Sequence, residues 1–336
     1  MISKKVLTTN VAVIGGGSWA TALVKILCEN DVKVKWWLRN SESVNYVKHF
    51  HHNPKYLSDV QLNMRKVKPD NNIKKVVQET DYVILAVPSA FVKEALKPLK
   101  SDELKGRVIV SGIKGIIPAS NMLITDYLER EYYLHEEDMC VIGGPCHSEE
   151  VALEKQSYLT VGCKDYNNAI QFSNLLTCRY VKCNAITDVA GIEYCAIMKN
   201  IISILTGIVH GLGYGDNFIA VLISNAMQEV KKFLDTAHPS QRDLFASAYL
   251  GDLLVTSYSQ FSRNRMFGSM LGRGYSVKAA HVEMNMIAEG YYAVKSMMDI
   301  VKRYDADMPI LRGVYHILYE KVSPATEIQI LKNLLK

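Results

Sequence analysis

The sequence is short of several features, and each shortage removes a class of function. It carries no long block of consecutive Lys or Arg, so it lacks the clustered basic face that a nucleic-acid partner needs. Its seven cysteines (Cys28, Cys140, Cys146, Cys163, Cys178, Cys183 and Cys195) are scattered, odd in number and without paired spacing. That excludes a disulfide framework and a zinc motif, and it is the usage of a reduced, cytoplasmic protein. His49, His51 and His52 stand close together, but no Cys or carboxylate stands at useful ligand spacing, so no metal is expected. Met1-Ile2-Ser3-Lys4-Lys5 leads straight into the first strand, so no signal peptide is expected. Internal repeats and low-complexity linkers are missing too.

What is present is an ordinary globular composition. The 336 residues are 49% hydrophobic, enough for two domains and a sizeable core. The net charge of +5 suits small anionic ligands such as phosphates. Residues 195–209 are largely apolar, but they contain Lys199, Asn200 and Ser203 and are bounded by Glu193 and by His210-Gly211. This run is too short and too polar for a membrane span, and a buried helix is expected.

The front of the chain carries Val11-Ala12-Val13-Ile14-Gly15-Gly16-Gly17-Ser18-Trp19-Ala20. A buried strand, a glycine turn and a helix start follow one another, the context in which G-x-G-x-x-A reads as a dinucleotide fingerprint. Gly15 permits the tight turn, Gly17 lets the backbone approach a pyrophosphate, and the helix N-terminus faces the anion. A second strand, 33–38, ends in Leu38 with Arg39 following, where NAD-selective domains place an acidic residue. Arg39 is therefore read as a contact that tolerates or favours a 2′-phosphate. Further strands are expected at 81–87, 107–111, 139–142, 158–162 and 180–181, several of them ending in glycine loops. Lys114, between Gly112 and Gly115, lies on one such loop, at the sheet edge where α/β proteins bind ligands.

Near Asp188 the character changes. Strand signals fade and 3.6-residue periodicity takes over, with helices expected at 191–210, 218–235, 241–256, 276–303 and 306–321. On the first of these, Lys199, Ser203, Thr206 and His210 fall four, three and four residues apart and form a polar stripe. A lysine inside so apolar a helix is costly without a partner or a task.

Taken together these stretches resemble the bacterial-type NAD(P)-dependent glycerol-3-phosphate dehydrogenases. The likeness rests on 15–23, Val87-Pro88-Ser89, Lys114-Gly115, Gly144-Pro145 with Glu149-Glu150, and Gly191-Ile192-Glu193 with Lys199-Asn200. It continues through 213–217, Gly251-Asp252-Leu253, Ser262-Arg263-Asn264 and Glu289-Gly290, in family order. The resemblance implies an α/β fold: a Rossmann-type dinucleotide-binding domain over 1–188, then an all-α substrate-binding and catalytic domain over 189–336. It implies NADP or NAD as cofactor, glycerol 3-phosphate and dihydroxyacetone phosphate as substrates, a supply role in phospholipid synthesis, and a possible homodimer. Lys199 looks like the catalytic base. Lys114, Gly144, Cys146, Asp252, Ser262, Arg263 and Asn264 look like substrate contacts. Gly15, Gly17, Ser18, Trp19, Arg39, Lys114, Ser148, Arg263, Ile287 and Glu289 look like cofactor contacts. The chain departs from the family in having Cys146 for the usual Ser or Thr, Ser148 for the usual Ala, and Ser111-Gly112-Ile113 before Lys114. Two alternatives stand beside this reading: another β-hydroxyacid dehydrogenase acting on a small oxo acid, and a non-catalytic NAD(P)-binding sensor.

Overall fold

The computed structural model describes residues 9–284 and 288–336. They form two compact units. The first comprises Met1–Ile113, Ile124–Ile142 and Cys146–Val189, and the second Lys114–Leu123, Gly143–Pro145 and Ala190–Lys336. The lysine loop after 113 and the Gly143-Gly144-Pro145 turn thus pack with the helical half of the chain, although both follow strands of the first half.

The first unit is a sheet with helices. Its strands are β1 (Thr9–Ile14), β2 (Val32–Trp37), β3 (Val67–Asp70), β4 (Tyr82–Leu85), β5 (Val108–Ser111), β6 (Met139–Gly143), β7 (Ser157–Cys163) and β8 (Val181–Ile186). Its helices are α1 (Ser18–Glu29), α2 (Ser41–Phe50), α3 (Ile73–Val77), α4 (Val92–Leu96), α5 (Ile124–Tyr132), α6 (Ser148–Ala152) and α7 (Tyr166–Leu176). The strand order is β3-β2-β1-β4-β5-β6-β7-β8. The pairs β1/β2, β2/β3, β1/β4, β4/β5, β5/β6 and β7/β8 run parallel. Val11, Val13, Ile84, Val110 and Ile142 are buried beneath Leu23, Ile26 and Leu27 of α1, so these strands read as apolar runs because both faces are covered.

The chain enters this sheet at its middle. It winds outward through β2 and β3 and returns to β4 on the other side of β1. The switch in direction leaves a crevice beyond the C-terminal ends of β1 and β4, where doubly wound sheets bind ligands. Gly15 follows β1 there with φ +140°, and a Cβ on it would stand 2.3 Å from the Ala86 carbonyl oxygen. Only glycine serves at that position. β3 was not read from the sequence; four residues including Pro69 are too short a signal.

The second unit is helical: α8 (Val189–Gly211), α9 (Asp216–Ala237), α10 (Asp252–Tyr258), α11 (Arg263–Gly272), α12 (Val277–Met284), α13 (Glu289–Arg303), α14 (Pro309–Tyr319) and α15 (Pro324–Lys332). Two expectations are corrected here. The helix expected over 241–256 is instead a loop, a wide π-turn at Ser247–Gly251, and then α10 starting at Asp252. The helix expected over 276–303 is interrupted. α13 starts afresh after Ala288, whose backbone is extended, and the Gly290 N–H in its first turn donates to Asn264 Oδ1 at 3.0 Å. α8 is also longer than expected: its 23 residues are long and apolar enough to cross a membrane by composition alone. The residues of its most apolar window are all buried inside the protein, so burial, rather than shortness or polarity, marks it as a core helix.

α8 meets α11 through reciprocal glycines. A Cβ on Gly207 would lie 2.1 Å from the Arg265 carbonyl oxygen, one on Gly268 1.9 Å from that of Ile204, and one on Gly272 2.3 Å from that of Ile208. Gly207 and Gly211 on one helix, and Gly268 and Gly272 on the other, are each four apart, so they line one face of each cylinder. The two backbones touch, and the start of α11 is pinned beside the middle of α8.

Candidate active site

Lys199 lies in the middle of α8 and is 5% exposed. Its Nζ is hydrogen-bonded to Asp252 Oδ1, and Asp252, 2% exposed, also accepts from Lys114 Nζ at 3.3 Å through Oδ2. One carboxylate therefore serves two ammonium groups. Burial is the main cause that draws Lys199 down from 10.5 to about 7, Asp252 pulls the other way, and Lys114 adds to the fall. Burial pushes Asp252 upward, but the two ammonium groups outweigh it and hold the carboxyl below its usual range. With both lysines protonated the trio carries a net positive charge in a low-dielectric place; release of one proton makes it neutral. Met198, Ile202, Val230, Tyr249 and Leu253 line a small cavity together with Lys199, so the lysine's surroundings there are mostly apolar.

Local sequence explains how these groups are held. Asp252 is the first residue of α10 and follows directly on the π-turn, its N–H donating back to the Ser247 and Tyr249 carbonyls. Its carbonyl accepts from Thr256 Oγ1 at 2.6 Å. Asn200 Nδ2 donates to the Lys114 carbonyl at 3.0 Å, so the residue after the lysine on α8 fixes the second lysine's backbone. Asn200 and Thr256 were not picked out as site residues; Asn200 sits within the quoted Lys199-Asn200 pair, and nothing local marks Thr256.

The polar stripe of α8 leads onward to the start of α11. Ser203 Oγ donates to the Thr256 carbonyl at 2.9 Å and lies 2.9 Å from Ser262 Oγ. The Ser203 proton being spent, Ser262 donates to Ser203. Ser262 also caps α11 by accepting the Arg265 N–H at 3.3 Å. Its hydroxyl is thus committed to the fold, whereas Arg263 stands half-buried at the first position of α11. Asn264 gives its Oδ1 to Gly290 and keeps its Nδ2 donors uncommitted among the described residues. Thr206 donates back to the Ser203 carbonyl at 3.0 Å, and His210 is exposed at the end of the stripe. Gly144 is buried with φ +105°, a conformation that glycine adopts without strain.

The remaining sequence-selected residues lie in the first unit or at its loops. Gly17 is the N-cap of α1 and brings no side chain to cap it, and a Cβ at Gly17 would project into open space. A helix start behind an open glycine fits a pyrophosphate. Ser18 is the first residue of α1. The Trp19 indole lies against Gly112, where a Cβ would meet its Nε1 at 2.9 Å, which accounts for the glycine in the Ser111-Gly112-Ile113 run. Arg39 is exposed just beyond β2, and Asn40 accepts the Ser43 N–H as the cap of α2. Ser148 is the buried first residue of α6, and Cys146 is packed in the hydrophobic core of the sheet unit. Glu289 opens α13. Ile287 lies outside the described residues. His51 closes α2 in the left-handed conformation, with the His49 and His52 rings packed on Phe50 and Tyr46.

Comparison with known proteins covers both halves. The family described as NAD-dependent glycerol-3-phosphate dehydrogenase matches through its N-terminal part at residues 10–169 and its C-terminal part at 188–329. The glycerol-3-phosphate dehydrogenase [NAD(P)+] of Clostridium botulinum (strain Eklund 17B / Type B) is 31% identical over 96% of this chain and 96% of its own length. That of Bacillus subtilis (strain 168) is 32% identical over 94% of this chain and 92% of its own. Among solved structures, glycerol-3-phosphate dehydrogenase from Coxiella burnetii superposes with a TM-score of 0.89 at 27% identity, covering 96% of this chain and 98% of that one.

Proposed function

The chain belongs to the NAD-dependent glycerol-3-phosphate dehydrogenase family, and on that premise we propose how its residues interconvert sn-glycerol 3-phosphate and dihydroxyacetone phosphate. It is an oxidoreductase that uses NAD or NADP. When bound, the nicotinamide accepts or supplies the hydride at C2. Neutral Lys199 Nζ takes the C2 hydroxyl proton as the carbonyl forms, and the ammonium returns it in the reverse direction. Asp252 holds that amine in place and offsets its charge. Lys114 brings the second positive charge to the oxygen as it turns anionic. Arg263 and Asn264 hold the substrate phosphate, the guanidinium supplying paired donors. Ser262 keeps the α11 start in position, and Gly144 lets backbone come close to substrate.

On the cofactor side, Gly15, Gly17 and Ser18 hold the pyrophosphate and Arg39 the ribose end, a 2′-phosphate included. Trp19, Lys114, Ser148, Arg263, Ile287 and Glu289 complete the contacts. Cys146, packed in the sheet core, is assigned to structure more than to substrate. Cofactor binding belongs to 1–188 and substrate handling to 189–336, the latter with Lys114–Leu123 and Gly143–Pro145 added. A cytoplasmic location, a homodimer and a role in supplying phospholipid synthesis are parts of the same proposal.

The observation that carries it is one buried carboxylate shared by a helix-borne lysine and a loop lysine. The test is oxidation of NADH and NADPH, followed by absorbance, with dihydroxyacetone phosphate against small 2- and 3-oxo acids. Lys199→Ala is expected to keep NADH binding and lose turnover. Wild-type turnover in that variant, or preference for an oxo acid without phosphate, overturns the assignment.

A further inference from the structure

The fingerprint glycines are held by residues that the fingerprint does not contain. Trp36 Nε1 donates to the Gly15 carbonyl at 2.6 Å. Asn53 Nδ2 donates to the Gly16 carbonyl at 3.0 Å. The Gly17 carbonyl takes both the Thr21 hydroxyl at 2.9 Å and the Thr21 N–H at 3.0 Å. Three successive carbonyls are thus tied to the body of the sheet unit. In a trans peptide the carbonyl and the following N–H point opposite ways. Anchoring these three oxygens therefore turns the N–H groups of Gly16, Gly17 and Ser18 away from the anchors, as an anion-binding nest requires.

Asn53 is the centre of this arrangement. It is 2% exposed, 37 residues from Gly16, in the segment after α2. One Nδ2 proton goes to Gly16 and the other to Thr21 Oγ1 at 2.7 Å, which leaves the Thr21 hydroxyl proton for Gly17. Its Oδ1 accepts the N–H groups of Lys55 at 2.9 Å and Tyr56 at 3.2 Å. Two donors and two acceptor sites are all used, and the partners fix which way the amide faces. No other side chain of that size supplies both roles; an aspartate keeps the acceptors and loses the donors.

We propose that Asn53, acting through Thr21 and alongside Trp36, is the positioning residue that holds the dinucleotide loop with its N–H groups turned toward the cofactor pyrophosphate. The inference rests on the cofactor reading above. Its test is direct binding of NADH and of ADP by titration calorimetry, together with steady-state kinetics and thermal unfolding without nucleotide. Asn53→Asp should raise the Kd of both nucleotides by roughly tenfold or more, about one hydrogen bond's worth of lost orientation. The KM for NADH should rise with it, while kcat at saturating NADH and the KM for dihydroxyacetone phosphate move less than about threefold. Thr21→Val removes the hydroxyl that ties Gly17 and takes one Asn53 Nδ2 proton but leaves the Asn53 bond to Gly16; it should weaken NADH measurably, and Thr21→Ser, which keeps the hydroxyl, should restore it. If Asn53→Asp does not fold, the Thr21 pair decides alone. NADH and ADP binding at wild-type strength in Asn53→Asp, or equal affinities in Thr21→Val and Thr21→Ser, overturn the inference. A wild-type protein that binds neither nucleotide overturns the cofactor reading and this inference with it.

Discussion

The shared carboxylate makes a quantitative claim about pH. A lysine at its ordinary 10.5 leaves about one molecule in 3,000 neutral at pH 7. Drawn down to about 7, half of Lys199 is neutral there, a gain of roughly a thousandfold in the proton-accepting form. Oxidation of glycerol 3-phosphate needs the neutral amine, so its rate should rise about tenfold per unit up to roughly pH 7 and then level. Reduction of dihydroxyacetone phosphate needs the ammonium, so it should hold steady below roughly pH 7 and fall above it. Two variants move these limbs in opposite directions. Asp252→Asn deletes the charge that opposes the depression; an opposite charge this close is worth about 1–3 units, so both limbs should shift down by that much. Lys114→Met deletes the like charge, and both should shift up, by about one unit because that ammonium is partly solvated. Each variant also lowers kcat, so the measurement is the position of the limb, taken from pH–rate profiles in both directions. Ionisation of the substrate phosphate near pH 6 is common to all three proteins and cancels in the comparison. Limbs that coincide in all three, or a wild-type limb near 10.5, would refute the reasoning.

Lys199→Arg should lose nearly all turnover in an otherwise folded protein, because a guanidinium cannot release its proton at working pH; a single-turnover assay with NADPH checks it. Arg39→Ala should raise the KM for NADPH about tenfold or more over that for NADH if Arg39 holds a 2′-phosphate, and equal changes would remove it from that role. Gly268→Ala forces a Cβ to 1.9 Å from the Ile204 carbonyl and should cost about 1–3 kcal/mol or more, read as a lower Tm. Gly251→Ala, whose Cβ would meet nothing nearer than 3.4 Å, should be close to neutral in the same experiment.

Much of the fold was legible because its signals are local. The apolar strand, the glycine turn and the helix start stand side by side at 11–27, and a lysine in an apolar helix stands out at any window length. Other features were illegible for the opposite reason. The buried helix was expected but its length was not: α8 runs to 23 residues, long and apolar enough for a span by composition, and its burial is what marks it as a core helix. The new helix start at Glu289 has its Gly290 N–H met by the Asn264 side chain, on a different helix. Asn53 follows directly on His49, His51 and His52 and was not singled out, since the glycine carbonyl it holds is 37 residues away.

By itself the sequence determined which chemistry is available: a dinucleotide loop, a buried amine, a guanidinium and a carboxylate, each carried by its own short pattern. Only the tertiary structure decided which of them act together. Lys199 and Asp252 are 53 residues apart, Lys114 and Asp252 138, and Asn200 and Lys114 86. The tuning of an amine depends on burial and on charges a few ångströms away, and those distances come into being only when the chain folds.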